Sequence, residues 1–476
     1  MTSLEFEPRA AGRAALAVLF SVGLLALPSP PVSAQQGPET GALAMFQGGV
    51  PSGQVAAEEI PLTLADAIAR GLRSNLGAIL GGTAVEAAQG ARREALAELL
   101  PQVGLSAAEV RQKINLAAYG FTGPGIPELV GPFNVFDARA HIVQSVLDLH
   151  AIHRAHAAKD AVEAARQDEL GARDIVVLAC GQLYLQALAG EARIEAVRAQ
   201  LATAEALLVT ARDRRSSGLG AGIEVLRADV QAQTLRQRLI VAEQDAAKQK
   251  LALARAIGLP LGQRFRLADP MPFAAGVPME VDAALSQAWA GRPDLKAAQA
   301  RVDAAEEARK AARGEGLPSL VVMGDYGGIG NSVSGALGTF MLGASLRVPV
   351  FEGGRAAARA SEAAVRLRQE RARLDDLKAR VYYEVQAVFL DLRAAEQRVR
   401  VGESALALAR QQLEQSRDRF AAGVADNLEV VQAQEALAAA EESRIASLYA
   451  HNFARFSLAR ALGGAEASYQ ALVKGR

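Results

Sequence analysis

No proline follows Gly354, and the stretch from Arg355 to Ala422, about 68 residues, carries no internal turn signal. As one α-helix it would run for about 100 Å at ~1.5 Å per residue, too long for a compact domain. Small or apolar residues recur along it at Val381, Val385, Val388, Leu392, Ala395, Val399, Gly402, Leu406, Ala409, Leu413, Ser416 and Phe420. The spacing alternates between four and three. That is a heptad seam, and it predicts a left-handed supercoil against a partner helix. The chain then turns at Gly423 and returns over 428–462, with Asp426 or Asn427 placed to cap the return helix.

The same pattern occurs earlier, at Val176, Cys180, Leu183, Ala187, Gly190, Ile194, Val197, Leu201, Ala204, Leu208 and Ala211, followed by Gly218 and a return helix over 223–257. Residues 175–258 align without a gap on 380–463, an offset of 205. RDRRSSGLGAGIEV (212–225) matches RDRFAAGVADNLEV (417–430), and LARAIG (253–258) matches LARALG (458–463). Upstream, Leu147-Asp148 pairs with Phe351-Glu352, Leu100-Pro101 with Leu317-Pro318, and Asn75-Leu76 with Asp294-Leu295. The chain is therefore a tandem repeat of two large units, 60–263 and 280–463, with a C-terminal tail, 464–476. Each unit reads helix, two strands, very long helix, turn, shorter helix. In the first, Gly81, Gly82 and Gly90 weaken the opening helix.

The strands show period-two alternation. Leu320, Val322, Gly324 and Tyr326 share one face of 319–329, with Ser319, Val321, Met323 and Asp325 on the other. Over 338–348, Phe340, Leu342, Ala344, Leu346 and Val348 oppose Thr339, Met341, Gly343, Ser345 and Arg347. In the first unit, Phe136, Ala138, Ala140 and Ile142 oppose Asp137, Arg139 and His141. A soluble hairpin and a transmembrane β-barrel strand both read this way. Two-stranded hairpins are not stable alone in water, so the strands need completion, most simply by other copies of the chain.

Arg9 and Arg13 precede the apolar run Ala14 to Leu27, then prolines, then Val32-Ser33-Ala34 before Gln35. Residues 1–34 read as a secretory signal peptide and 35–59 as a flexible lead-in. Glu5 and Glu7 are unusual in such a segment. No cysteine follows the cleavage site, so no N-terminal lipid anchor is expected. Beyond the N-terminus no apolar run reaches 18 residues, and no membrane-spanning helix is expected. Lys+Arg and Asp+Glu both number 52, a balance that argues against a nucleic-acid partner.

Candidate chemistry is sparse. Four of the five histidines cluster, at His141, His150, His153 and His156. The i, i+3 spacings 150/153 and 153/156 suit chelation on a helix, but no carboxylate or cysteine completes an evident set, so these histidines read as solvated or lumen-facing. Cys180 lies on the seam and reads as packing; a lone cysteine excludes an intrachain disulfide. No hydrolase, zincin, phosphate-loop or dinucleotide motif occurs in context, so neither an enzyme nor a cofactor is expected. Residue patterns alone leave a hairpin of this length as a fibre component, a spacer or the wall of a tube; a periplasmic coiled-coil scaffold without a pore is the alternative to a duct.

LTLADAIARGLRSN (62–75), RPDLKAAQARVDAAE (292–306) followed by LPSL (317–320), VPVFEGGR (348–355) and the two hairpin turns resemble the TolC-like outer-membrane efflux proteins. VPVFEGGR is the most specific, being similar to that family's strand-to-helix junction; the first unit departs from it with QSVLDLH (144–150). The resemblance implies a mainly α fold with a small β part: a homotrimer with a 12-stranded outer-membrane barrel and a periplasmic α-barrel. It implies a passive exit duct in a Gram-negative outer membrane, served by a periplasmic adaptor and an inner-membrane pump. Phe136, Ile142, Leu320, Val322, Phe340 and Leu342 would then face lipid. Gly218, Gly423 and Asp426 would lie at hairpin turns that contact the adaptor. Glu224 and Glu429 match the family's acidic constriction at the periplasmic entrance, whereas Arg227 and Gln432 stand where a second acid is often found. Arg212 and Arg417 would restrain that gate. Both glutamates also suit a simpler role as helix N-terminal acids.

Overall fold

The computed structural model describes residues 46, 48–271, 273 and 279–473; the expected signal peptide lies outside them. The long helices form as the seam requires. After β1 (Ile60–Leu62), α1 (Leu64–Ser74) and α2 (Leu76–Ala97), two long strands β2 (Gln102–Asn115) and β3 (Leu129–Leu147) lead into α3 (Leu149–Ser216), 68 residues, and its return helix α4 (Gly222–Ala256). The second unit follows in the same order: β4 (Phe265–Leu267), α5 (Val281–Gly291), α6 (Pro293–Gly314), β5 (Ser319–Gly330), β6 (Leu337–Arg347), α7 (Arg355–Ala421) and α8 (Asn427–Ala461). In the α7 seam every expected position is buried except the half-buried Val388. In α3 the exceptions are Ile194, Val197 and Leu201.

Local chemistry sets the ends of these helices. Asp148 caps α3, its carboxylate accepting from the Ala151 amide at 3.0 Å. α7 instead starts from Gly354 at φ +82, which has no side chain to cap with. Pro293 opens α6 at a position where a missing amide costs nothing. α2 is unbroken through Gly81, Gly82 and Gly90, contrary to the expected weakening. A Cβ added at Gly81 would come within 3.4 Å of the Glu169 backbone, so the small residue lets α2 lie close against α3.

The sequence reading of two strands per unit missed β1 and β4. They are three residues each, too short for a period to register, and they pair in parallel, tying the start of the first unit to the segment that leads into the second. The long strands form one antiparallel sheet in the order β2-β3-β5-β6, with β3 and β5 bringing the units together. One further expectation is corrected. The lead-in is tied down from Phe46 onward: Phe46 is buried, the Val50 amide donates to Ser74 O at 2.8 Å, and the Ala56 amide donates to Gln263 Oε1 at 2.6 Å. The C-terminal tail folds as α9 (Ala465–Val473), whose Glu466 amide donates to Asp174 at 2.9 Å.

Four apolar clusters follow the bundle among the described residues, the smallest formed by Leu406, Ala409 and Ala440. One gathers α1, the middle of α3 and the end of α4 around Tyr184, Leu185 and Cys180. A second joins α5, α6 and α7, and a third holds the far ends of all four hairpin helices. Cys180 is fully buried and its thiol is pushed up to about 12 by burial, so packing is its role. Against the expectation of no membrane-spanning helix, α3 contains an 18-residue window of mean hydropathy 1.4, apolar enough by composition to cross a membrane. It is 67% buried within this chain, as a core helix is.

Candidate functional site

Two regions present unusual surfaces: the sheet and the hairpin turns. In the sheet, residues paired across strands share a face, so the register tests the alternation directly. Ile142 pairs with Gly324 and Gly324 with Leu342; Ala140 pairs with Tyr326 and Tyr326 with Phe340; Leu320 pairs with Leu346. β2 adds Val103 and Leu105 opposite Ile142 and Ala140. One broad apolar face results, and it stands in the open, with Phe340 79% exposed. Phe136 lies at its border, because Glu109 opposite it and Asn134 beyond it stand on the same face, joined at 3.0 Å. The opposite face is polar. Arg139 donates to Asp137 at 2.6 Å and to Asp325 at 2.8 Å, and His141 lies over Gly104, where a Cβ would meet its ring at 2.3 Å. The edges β2 and β6 each have one strand partner.

At the turns, Gly218 and Gly423 adopt φ of +75 and +72 just past the ends of α3 and α7. The Leu219 amide bonds back to Arg214 O at 2.8 Å and the Val424 amide to Arg419 O at 3.0 Å. These are Schellman closures, which require the left-handed conformation that glycine adopts without strain. Asp426 caps α8 by accepting from the Leu428 amide at 2.9 Å, whereas Ala221 before α4 offers no side-chain cap. Asn427, fully buried, donates to Glu224 O at 2.7 Å and so joins the starts of the two return helices. Glu224 is half-buried, and its Oε2 has no hydrogen-bond partner among the described residues. Glu429 lies 3.5 Å from Arg419.

Arg212 approaches Asp229 on its own return helix at 3.8 Å, and Arg417 makes no ion pair among the described residues. The stronger link between hairpins is Arg214, which donates to Phe420 O at 3.0 Å with its guanidinium 4.9 Å above the Phe420 ring. Each triplet RDR has two arginines, and sequence could not tell which faces the neighbouring hairpin. The available signal was Phe420 itself, a seam residue whose repeat equivalent is Arg215.

The histidines divide. His141 sits on β3, while His150, His153 and His156 line the first turns of α3. They are not simply solvated: His150 meets Ala311 O at 3.1 Å, and His153 Nδ1 lies 2.7 Å from Glu307 Oε2. The carboxylate that sequence did not supply comes from α6, 154 positions along the chain.

The description "Outer membrane efflux protein" matches residues 83–259 and 284–464, the two units in turn. The chain belongs to the outer membrane efflux protein family. It is 25% identical over 386 residues to the pyoverdine export outer membrane protein OpmQ of Pseudomonas aeruginosa, covering 80% of each chain. It is 24% identical to the outer membrane protein TolC of Vibrio cholerae, over 77% of this chain and 82% of that one. The fold is shared with solved channels. The Vibrio cholerae outer membrane protein VceC superposes with a TM-score of 0.74 at 21% identity, over 84% of this chain and 96% of that one. The Campylobacter jejuni CmeC outer membrane channel gives 0.74 at 16% identity, over 87% and 89%. The protein is thus an efflux duct of a Gram-negative outer membrane, its long helices forming the periplasmic extension. Family members are channels rather than enzymes.

Proposed function

We propose that the chain acts as a homotrimer. Four strands from each copy would close a 12-stranded barrel in the outer membrane, and the helical hairpins would continue it as a periplasmic tunnel. The carrying observation is the open four-stranded sheet, whose free edges β2 and β6 flank an exposed apolar face. Closure removes both edges and gives lipid to the apolar face, so that Phe136, Ile142, Leu320, Val322, Phe340 and Leu342 point outward and Arg139 and Asp325 line the lumen. Outer-membrane fractions should yield a heat-modifiable trimer. A monomer in mild detergent with no membrane association would overturn this reading.

Export then needs energy from elsewhere. An inner-membrane pump, joined through a periplasmic adaptor seated on the tips around Gly218, Gly423 and Asp426, supplies it. Glu224 and Glu429 constrict the tip, where three copies give a ring of six carboxylates. The ion pairs nearby, Arg212 with Asp229 and Arg419 with Glu429, are exposed, and each contributes only about 0–1 kcal/mol. That suits a closure that a partner must open. Glu224→Gln with Glu429→Gln is expected to reduce cation preference in planar-bilayer conductance; unchanged selectivity would leave these residues as helix-end acids alone. Arg212→Ala with Arg417→Ala is expected to raise open conductance, and adding Arg214→Ala, which breaks the link to Phe420, to raise it further.

A further inference from the structure

The first turns of α3 and the last turns of α6 lie side by side next to the sheet, one from each repeat unit. His153 and His156 are one helical turn apart on α3 and project toward α6. Glu307 answers from α6. Its Oε2 is 2.7 Å from His153 Nδ1 and 3.7 Å from His156 Nδ1. One ligand atom from each of the three residues falls within 4.8 Å of the others.

We propose that His153, His156 and Glu307 form a binding site for a divalent transition cation of the zinc–copper class. Two imidazole nitrogens and one carboxylate oxygen are donors that suit such ions and not calcium or magnesium, which take oxygen sets. A four-coordinate ion with bonds of about 2.0–2.1 Å has ligand-to-ligand edges of about 3.3 Å. The two observed separations bracket that value, so side-chain adjustment alone completes the set. Lys310 Nζ engages the other carboxylate oxygen, Oε1, at 2.6 Å, and leaves Oε2 free for the ion. His156 is exposed and gives the cation an entry path, while His153 and Glu307 are half-buried and hold their rotamers.

Charge around the site supports the assignment. Asp160 stands one turn beyond His156 on the same stripe of α3. Partial burial raises its carboxyl above the ordinary range, and the nearby charges of Asp303 and Glu307 add to this. Three carboxyl groups therefore crowd a small region with Lys310 bound to one of them. A divalent cation relieves that crowding. Bound there, the ion cross-links the two repeat units where the helices meet the sheet, independently of what the duct exports.

The test uses the full-length protein in detergent, without a polyhistidine tag and stripped by a chelator. Calorimetric titration with zinc is expected to give one ion per chain. His156→Gln, at an exposed position that leaves packing intact, and Glu307→Gln are each expected to weaken it at least about tenfold, the scale on which even outer-shell partners act. His141→Gln, on the sheet, should leave it unchanged. Copper(II) bound to the native protein should show hyperfine coupling to two imidazole nitrogens in electron paramagnetic resonance. Absence of saturable binding, unchanged affinity in His156→Gln, or a copper spectrum without nitrogen coupling would overturn the proposal.

Discussion

Arg292→Met is expected to lower the free energy of unfolding by about 3 kcal/mol, read as a fall in the urea midpoint of the purified protein. Arg292 is 3% exposed at the break between α5 and α6. It bonds Asp294 in bidentate fashion at 3.0 and 2.6 Å and reaches Glu384 on α7 at 2.6 Å. Removing the cation leaves two carboxylates facing each other in a poorly solvated place, and this loss, not the worth of the pair, sets the size of the effect. Asp294 retains some contact with water, which keeps the figure at the low end of the range for buried pairs. Burial opposes ionisation of Asp294, but the bonds from Arg292 prevail and hold its carboxyl below the usual range. The folded pKa is lower than the unfolded one, so this group contributes stability above the ordinary carboxylate pKa of about 3.9, and the contribution is lost as pH falls through the lower folded value. The stability difference between native protein and Arg292→Met should therefore shrink at acid pH. A variant within about 0.5 kcal/mol of native at pH 7 would show the triad to be dispensable.

Phe340→Arg is expected to reduce the yield of assembled trimer far more than Thr339→Arg. On the proposed barrel an arginine at mid-bilayer on the lipid face costs roughly 2–4 kcal/mol, repeated in each copy. Phe340 pairs with Tyr326 on the apolar face, while Thr339 pairs with Gly327 on the face that carries Arg139 and Asp325. The two positions are adjacent, share the same strand and differ only in facing. Gel mobility before and after heating of outer-membrane fractions measures the difference, and equal effects would refute the facing.

Much of the architecture was legible because it is periodic. A heptad repeated along α7 leaves one stripe to bury, so the seam could be named residue by residue before any partner was known. The tandem repeat then carried every element of one unit over to the other, and the turn glycines and Asp426 followed from local backbone chemistry. Strand faces were legible for the same reason, since period two fixes which side chains go together whatever covers them. Short or non-periodic features were not. β1 and β4 hold too few residues to show a pattern, and α9 and the ordered lead-in depend on packing against distant helices.

The side-chain constellations divide in the same way. Glu224 and Glu429 could be paired as equivalent positions because the repeat matches GIEV to NLEV. Which arginine reaches Phe420 could not be read, because Arg212 and Arg214 are separated by about 200° around the helix at 3.6 residues per turn, and only the neighbouring hairpin selects Arg214. Glu307 beside His153 and Glu384 beside Arg292 lie 154 and 92 positions apart in sequence. Sequence determined the periods, and hence the long hairpins, the faces of the strands and the doubling of the unit. Tertiary structure alone decided the pairings across elements, because a contact between distant positions depends on the relative placement of two helices, which no local pattern encodes.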